Sequence, residues 1–218
     1  MLTPDYAFGC KRVLLSDAFY PAIASGDVQL EASALAAVEG NTLIAASGTR
    51  REVNVLILAT GFETTRQPYA TLIEGENGLT LDRHWSTGMT SVGSTLVAGF
   101  PSLFVLNGPN ASLGHNSSIL MMEAQTDFTA RLIAAENGPI RVSAEAEASY
   151  TREIVERSAN TAWIAGGCRN WYVDGRSGRL TLLWPGTVAS YRDRLERVLA
   201  ADIEPDLRKE PLLSKESS

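Results

Sequence analysis

Polar and apolar residues alternate in short runs along the first quarter of the chain, as they do in antiparallel strands. Runs at 28–31, 35–38 and 42–46 each suit a short strand. A Gly-Asn pair at 40–41 supplies a turn between the last two, although Asn-Gly is the more favoured hairpin order. The pattern therefore predicts a β-meander, preceded by a short helix at 17–24.

A continuous apolar run, Val-Leu-Ile-Leu-Ala at 55–59, follows this meander. Such a run bounded by turn signals is typical of a strand that is covered on both faces, as in a parallel sheet. It ends in Thr-Gly-Phe at 60–62, and an open α/β sheet binds its ligand at the ends of such strands. We therefore expect a buried strand at 53–59 that leads into a ligand-binding turn.

The second half of the chain is predicted to be mostly helical. Apolar residues recur at helical spacing at 117–136, 143–158 and 187–200. Short apolar runs predict strands at 96–98, 103–106 and 180–184. Asn-Gly-Pro-Asn at 107–110 allows unusual backbone angles and indicates a turn. The aromatic stretch at 163–178 is expected to be a loop.

Composition excludes two classes of partner. The 218 residues have a formal net charge of −6, with 44% hydrophobic and 20% charged residues, which is ordinary for a globular protein. An acidic chain lacks the basic face of a nucleic-acid binder. Its apolar runs are too short to span a bilayer. We therefore expect no nucleic-acid partner and no membrane insertion.

The two cysteines, Cys10 and Cys168, are far apart in the sequence and lie in no CxxC pair. Each could be a reactive thiol or a small buried apolar side chain, and the second interpretation is favoured. Because the spacing indicates no disulfide scaffold, we expect a reducing, cytoplasmic environment.

Several signatures of complete sites are absent. The sequence has no GxGxxG, no P-loop and no cluster of metal ligands, so it does not hold a whole nucleotide-binding site by itself and no metal is expected. His84 and His115 are its two histidines, and a surface or capping role is favoured for each over catalysis.

Five motifs occur in an order that resembles a known family. They are Gly-Cys-Lys-Arg at 9–12, Asn-Val-Leu-Ile-Leu-Ala-Thr-Gly-Phe at 54–62, Gly-Phe-Pro-Ser-Leu-Phe at 99–104, Asn-Gly-Pro-Asn at 107–110, and Asn-Trp-Tyr at 170–172 with Gly-Arg at 178–179. Together they resemble class B flavoprotein monooxygenases, in particular Baeyer–Villiger monooxygenases similar to those that act on 4-hydroxyacetophenone. The resemblance extends from Pro4 to about Leu195.

The resemblance implies an α/β flavoprotein with two dinucleotide-binding domains, that is, an FAD/NAD(P)-binding fold with a β-meander, a buried parallel-type strand and C-terminal helices. Residues 1–30 would end the NADP-binding domain and 31–135 would form the C-terminal half of the FAD-binding domain. A helical and loop region at 136–203 and a disordered tail at 204–218 would follow. Because the family's N-terminal GxGxxG unit is missing, the chain is expected to be a C-terminal fragment. The missing N-terminal half, as a separate chain, is then a candidate partner.

The same resemblance assigns roles to the two adjacent cations. Lys11 would bind the 2′-phosphate of NADPH, and Arg12 would be the active-site arginine that stabilises negative charge on the flavin-bound oxygen and on the ketone adduct. A guanidinium is charged at every working pH. A fixed cation beside a developing oxyanion is a large catalytic contribution.

Further cofactor contacts are implied on three segments. They are Ala59, Thr60, Gly61 and Phe62 close to FAD, Asn107, Gly108, Pro109 and Asn110 beneath the flavin ring, and Trp171 against NADP. A core aromatic is the equal alternative for Trp171. The segment 114–117 is a further possible contact, although a cap at the start of the following helix is favoured.

The expected function is an FAD- and NADPH-dependent monooxygenase that inserts one oxygen atom of O2 into a ketone to give an ester or lactone, with a soft heteroatom as a second substrate type. Two alternatives remain open at this stage. One is an inactive or regulatory interaction module derived from the fold. The other is an N- or S-oxygenating flavin monooxygenase, against which the Lys-Arg pair and the Asn-Trp-Tyr segment argue.

Overall fold

The computed structural model describes residues 2–135 and 138–204, which form two compact units. Most of the first unit is Val13–Phe62. The second runs from Glu63 onward and also includes the segment Tyr6–Arg12, so the chain contributes to the second unit before it builds most of the first. The domain boundaries expected from the sequence stay a prediction.

The first unit contains the predicted meander. Helix α1 (Phe19–Ala24) precedes three antiparallel strands in the order β1 (Leu35–Glu39), β2 (Thr42–Ala45) and β3 (Arg50–Glu52). The turn between β1 and β2 uses Gly40, whose φ of 59° is easily reached only without a Cβ. The strand predicted at 28–31 is wrong, because those residues are extended without a ladder partner. The third strand forms instead at 50–52.

The buried strand predicted at 53–59 is also wrong. These residues form no strand, and Val55, Ile57 and Leu58 are 75%, 84% and 69% exposed. A strand exists only through hydrogen bonds to neighbouring strands. The sheet of the first unit ends at β3, so the apolar run has nothing beside it to complete a ladder.

The second unit is mainly helical, as predicted. Its helices are α2 (Leu81–His84), α3 (Ser118–Ala135), α4 (Ala144–Ser158), α5 (Ala162–Ala165) and α6 (Val188–Ala201), with 3₁₀ turns at Pro68–Thr71 and Glu76–Gly78 and a small antiparallel pair of β4 (Arg141–Val142) and β5 (Ile203–Glu204). Within the described ranges no helix is both long and apolar enough to cross a bilayer. The expected end of α3 at 136–137 and the tail at 205–218 lie outside the described residues.

Side-chain caps account for where two of the long helices begin. The Ser143 hydroxyl accepts a hydrogen bond from the Ala146 amide (3.0 Å), and Thr187 does the same for the Ser190 amide (3.2 Å). Each cap satisfies one backbone donor that the first turn leaves free. These helix starts are within one residue of the sequence prediction.

The strands predicted at 96–98, 103–106 and 180–184 do not form as regular strands. They are reduced to isolated bridges, among them Leu96 with Phe104 and Val173 with Leu180. Left-handed backbone at Gly99 (φ 80°) and Ser102 (φ 54°) turns the chain before a ladder can extend. This part of the unit is a series of turns packed on the helices.

The core of the second unit lies between α3, α4 and α6. Its buried apolar members include Met121, Phe128 and Leu132 of α3, Tyr150 and Ile154 of α4, Tyr191, Leu195 and Val198 of α6, and Trp184. On α3 these positions are spaced by one or two helical turns, which presents one face to the core. The helices therefore provide a rigid base for the turns that carry the candidate site.

We expect Phe128→Ala to lower the free energy of unfolding by about 3–5 kcal/mol, because it opens a cavity among fully packed side chains. Urea unfolding followed by circular dichroism measures the change. Ile133→Ala on the same helix is the control, since Ile133 is 58% exposed and its loss should cost less than about 0.5 kcal/mol. Equal effects of the two substitutions would contradict this placement of the core.

Candidate functional site

A cavity of about 430 Å³ opens in the second unit. Its wall is built from stretches that are far apart in the sequence: Arg12, the turn at 64–67, the loop at 107–113, the first residue of α3, and the pairs 171–172 and 182–183. Among its lining residues Arg12 alone is charged. The cavity therefore presents one cation on an otherwise neutral and partly apolar wall, which favours an anionic or electron-rich ligand group.

Arg12 lies at the exposed rim of this cavity. Its Nη1 donates to the Leu113 carbonyl (3.0 Å), which fixes the direction of the guanidinium. A guanidinium has five N–H donors, and Leu113 is the hydrogen-bond partner that the described residues provide. The remaining donors are available to a ligand.

The segment that carries Arg12 is tied to the second unit by a disulfide between Cys10 and Cys168, with a Cα–Cα distance of 6.1 Å. The interpretation of the two cysteines as separate buried thiols is therefore wrong. Sequence separation alone gave no sign that the segment at 6–12 folds against the loop at 166–172. The cytoplasmic location stays a prediction, and its argument from unpaired cysteines no longer applies.

Lys11, adjacent to this disulfide, is exposed. Its Nζ lies 4.7 Å from the centre of the Tyr6 ring, within the range of a cation–π contact. The residue is thus free to meet a phosphate from solution, and its role toward NADPH stays a prediction.

The loop at 107–110 has a backbone that few residues tolerate. Asn107 and Asn110 adopt φ values of 52° and 58°, which asparagine reaches more easily than most residues. Both amide hydrogens of the Asn110 side chain are used inside the protein, on the carbonyls of Leu180 (2.7 Å) and Leu183 (3.0 Å). Asn107 and Gly108 line the cavity, whereas Pro109 and Asn110 are buried.

The buried side-chain amide of Gln125 on α3 holds this loop in place. Its Oε1 accepts from the Asn107 amide (2.9 Å), and its Nε2 donates to the Ser94 carbonyl (2.8 Å) and the Thr95 hydroxyl (2.9 Å). Gln125 is fully buried. Because a buried amide left without partners is costly, these bonds link the loop conformation to the stability of the helical core.

Ser94 continues the network toward α4. Its hydroxyl donates to the Asn110 carbonyl (3.1 Å) and accepts from the Tyr150 hydroxyl (3.0 Å), since a serine hydroxyl has a single hydrogen to donate. Burial raises the pKa of Tyr150 far above its usual value, although the hydrogen bond to Ser94 acts in the opposite direction. The raised pKa favours the neutral form of Tyr150, in which the hydroxyl can donate to Ser94.

Trp171 also lines the cavity and is 50% exposed. Its carbonyl accepts a hydrogen bond from the Thr64 hydroxyl (3.1 Å), which connects two lining stretches. Its ring centre lies 5.3 Å from that of Tyr172, which is buried. The Tyr172 hydroxyl has no hydrogen-bond partner among the described residues. A half-exposed indole at a cavity suits contact with a ligand better than a place in the core.

Ala59, Thr60, Gly61 and Phe62 belong to the first unit and are exposed. Gly61 has a φ of 87° and open space where a Cβ would stand, so a flat group has room to approach it. Their predicted contact with FAD stays a prediction.

The two histidines have structural partners. His84 Nε2 lies 2.7 Å from the carboxylate of Glu147, which is buried and also accepts from the Thr90 hydroxyl (2.5 Å) and the Ala98 amide (2.7 Å). His115 stacks on Trp163 at 6.2 Å. Glu147 lies in the first turn of α4, where a carboxylate also matches the helix dipole.

The start of α3 follows the favoured interpretation of the 114–117 segment. The Ser117 hydroxyl accepts from the Ile119 amide (3.2 Å), which is the geometry of an N-cap. Ser118, the first residue of the helix, lines the cavity. The partial positive charge of an 18-residue helix therefore adds to that of Arg12 on the same wall.

Three lining residues, Thr64, Gln67 and Ser112, carried no motif and were missed in the sequence. Gln125 had a signal that could have found it. It stands between Met121 and Phe128 on the apolar face of α3, where a polar side chain needs buried partners.

The residues present fit part of a flavin or nicotinamide cofactor. The cavity has the volume that a planar ring system needs, a cation and a helix N-terminus for an electron-rich oxygen, and an indole that can stack. On the part of the wall formed by Arg12, the guanidinium uses one of its five donors on the Leu113 carbonyl, which leaves donors for an electron-rich oxygen of the ring. A glycine-rich cradle for the pyrophosphate is absent from the sequence, so these residues fit the ring portion alone.

Comparison with known proteins gives a consistent set of relatives. The chain is 40% identical over 208 residues to a Baeyer–Villiger monooxygenase of Streptomyces coelicolor and 35% identical over 195 residues to one of Pseudomonas aeruginosa. It is 32% identical to an FAD-binding monooxygenase of Aspergillus niger. These alignments cover 93%, 88% and 92% of this chain. No family model matches.

Solved structures agree on the fold. A cyclohexanone monooxygenase from Rhodococcus sp. Phi1 bound to NADP+ superposes with a TM-score of 0.77 at 25% identity, over 89% of this chain and 39% of that one. An oxidized steroid monooxygenase bound to NADP gives 0.77 at 24% identity, over 92% and 40%. The fold is thus that of a part of these two-domain α/β flavoproteins.

The chain spans 34% to 40% of the length of the three relatives named above. More than half of the length of each of those relatives therefore has no counterpart in this chain.

We expect Gln125→Leu to lower the free energy of unfolding by on the order of 2 kcal/mol or more, because it removes the Gln125 partner of the buried Ser94 carbonyl and of the Asn107 amide. Hydrogen exchange at the Asn107 amide should accelerate at the same time. Thr129→Val on the same helix is the control, since the Thr129 hydroxyl has no partner to lose. A loop that exchanges equally slowly in both variants would refute the role of Gln125.

Proposed function

We propose that this chain, which is related over nearly its whole length to a part of Baeyer–Villiger monooxygenases, supplies one wall of the reactive site of such an enzyme. The reaction converts a ketone, O2, NADPH and a proton into an ester or lactone, water and NADP+. One observation carries the proposal: Arg12, Asn107 with Gly108, and Trp171, which family resemblance implicates separately, line a single cavity.

The cofactors proposed are FAD and NADPH. They are supported by relatives named as FAD-binding monooxygenases and by structures of related enzymes bound to NADP. When bound, the reduced flavin supplies the electrons that activate O2, and NADPH supplies the hydride that reduces the flavin. Lys11, exposed beside the cavity segment, is the proposed partner of the nucleotide 2′-phosphate.

Arg12 is proposed as the catalytic residue. Its guanidinium is held by the Leu113 carbonyl at 3.0 Å and needs no proton transfer to be charged. Negative charge that develops on oxygen at this wall meets Arg12 and the N-terminus of α3 together. Because both are fixed before the reaction, their stabilisation costs no reorganisation.

The neutral wall contributes by excluding water. Leu113 and Leu183 are buried, and Tyr172 and Leu182 add further apolar lining to the cavity. A dry wall strengthens each electrostatic interaction with the guanidinium. Trp171, which is half exposed, is proposed to contact the nicotinamide nucleotide.

The chain is further proposed to act together with polypeptide that provides the glycine-rich dinucleotide motif, either continuous with it or as a separate chain. Two observations support this. Val55, Ile57 and Leu58 are exposed where a covered strand was expected, and the chain matches only 40% of the Streptomyces relative. An apolar run of this kind is completed by strands on either side.

Flavin absorbance tests this requirement directly. The purified chain is expected to remain colourless with FAD, because no pyrophosphate cradle is present in it. Co-expression with the part of the Streptomyces relative that the chain does not match should give a yellow complex. The same partner without its glycine motif is the control and should stay colourless. FAD retained by the chain alone would overturn the proposal.

In such a complex, Arg12→Ala should reduce ketone oxidation by about 10²-fold or more while NADPH still reduces the flavin, because the substitution removes charge stabilisation and not cofactor binding. Product formation and flavin bleaching are measured separately. Arg66→Ala is the matched control, since Arg66 is an exposed cation next to the lining turn and does not line the cavity. Ketone oxidation at the native rate in Arg12→Ala would refute the catalytic assignment.

A further inference from the structure

The segment Tyr6–Arg12 is attached to the rest of the second unit by few interactions. Besides the disulfide of Cys10 and the contact of its sulfur with the Asn170 side-chain nitrogen (4.0 Å), they include the hydrogen bond from the Ala7 amide to the Gly166 carbonyl (2.8 Å) and that from Arg12 to Leu113 (3.0 Å). Directly after Arg12 the chain passes into the first unit. The covalent bond is therefore the strongest restraint on the position of Arg12.

The other end of the disulfide lies under the loop that carries Trp171. The Asn170 side-chain nitrogen is 3.7 Å from the Cys168 sulfur and donates to the Trp163 carbonyl (2.8 Å). Its Oδ1 accepts from the Tyr172 amide (3.0 Å), which fixes the backbone on both sides of Trp171. The same sulfur–sulfur bond thus restrains two walls of one cavity.

The two cysteines are buried to different degrees, since Cys10 is fully buried and Cys168 is partly exposed. Cys168 is therefore the half of the bond that we expect an external thiolate to attack, with Cys10 leaving as the thiolate. Attack at Cys10 would first require the segment at 6–12 to lift away.

We propose that the Cys10–Cys168 disulfide is a redox-controlled positioning device for the cavity, which holds Arg12 and Trp171 in place when oxidised and releases both when reduced. A dithiol donates two electrons and two protons, the Cys10–Cys168 bond breaks to two thiols, and the dithiol closes to a cyclic disulfide. Oxidised glutathione reverses the change and becomes two molecules of reduced glutathione. This inference rests on the proposed function in one respect, namely that the cavity is the reactive site.

Hydrogen exchange of the full 218-residue chain, read by mass spectrometry, tests the proposal without any variant. On reduction by dithiothreitol, exchange at 6–12 and 168–172 should accelerate about tenfold or more, because both segments lose their shared restraint. Exchange in α3 and α6 should stay unchanged. Adding excess oxidised glutathione after the dithiol is removed should restore the original rates.

The double variant Cys10→Ser/Cys168→Ser provides the matched control. It should exchange like the reduced chain at both segments and show no response to dithiothreitol or oxidised glutathione. Equal acceleration in α3 and α6 on reduction would mean that the disulfide stabilises the whole unit and not the cavity segments in particular. Unchanged exchange at 6–12 would mean that the disulfide does not restrain that segment. Either result overturns the proposal. Since the readout needs no flavin and no ketone, it is independent of whether the chain acts in a monooxygenase.

Discussion

The hydrogen bonds of Gln125 are the constraint on which the candidate site depends. One amide, sealed in the core on α3, bonds to the backbone of Ser94 on one side and of Asn107 on the other. Inside a medium of low polarity such bonds are strong and their loss is costly. The stability of the lining loop is therefore coupled to that of the helical core and of the turn at 93–95. This coupling makes the cavity wall as rigid as the helices against which it packs.

The helices and the meander were predictable because short-range interactions, such as helix caps and turns, determine where they begin and end. The caps Ser143 and Thr187 and the turn at Gly40 act within a few residues, so a single sequence contains all the information needed. The run at 53–59 failed because a strand is defined by its neighbours, and the first unit has none beyond β3. The short strands around 100 failed because left-handed backbone at Gly99 and Ser102 interrupts them.

The sequence predicted which motifs contribute to the site, but it did not predict how they come together in the fold. The order of Arg12, Asn107 and Trp171 along the chain implied a shared family, but the cavity arises from contacts across more than a hundred residues. The disulfide is the clearest case, since 158 positions separate its cysteines and no local pattern pairs them. Only Gln125 carried a sequence signal that was overlooked, a polar residue within an apolar helical stripe.

The exposed apolar run has a consequence for how this chain behaves in concentrated solution. Val55, Leu56, Ile57 and Leu58 combine high strand propensity with no charge and no proline, and they lie open rather than in a folded ladder. Segments of this composition pair readily with copies of themselves. The exposed run is therefore a segment through which copies of this chain can pair strand to strand.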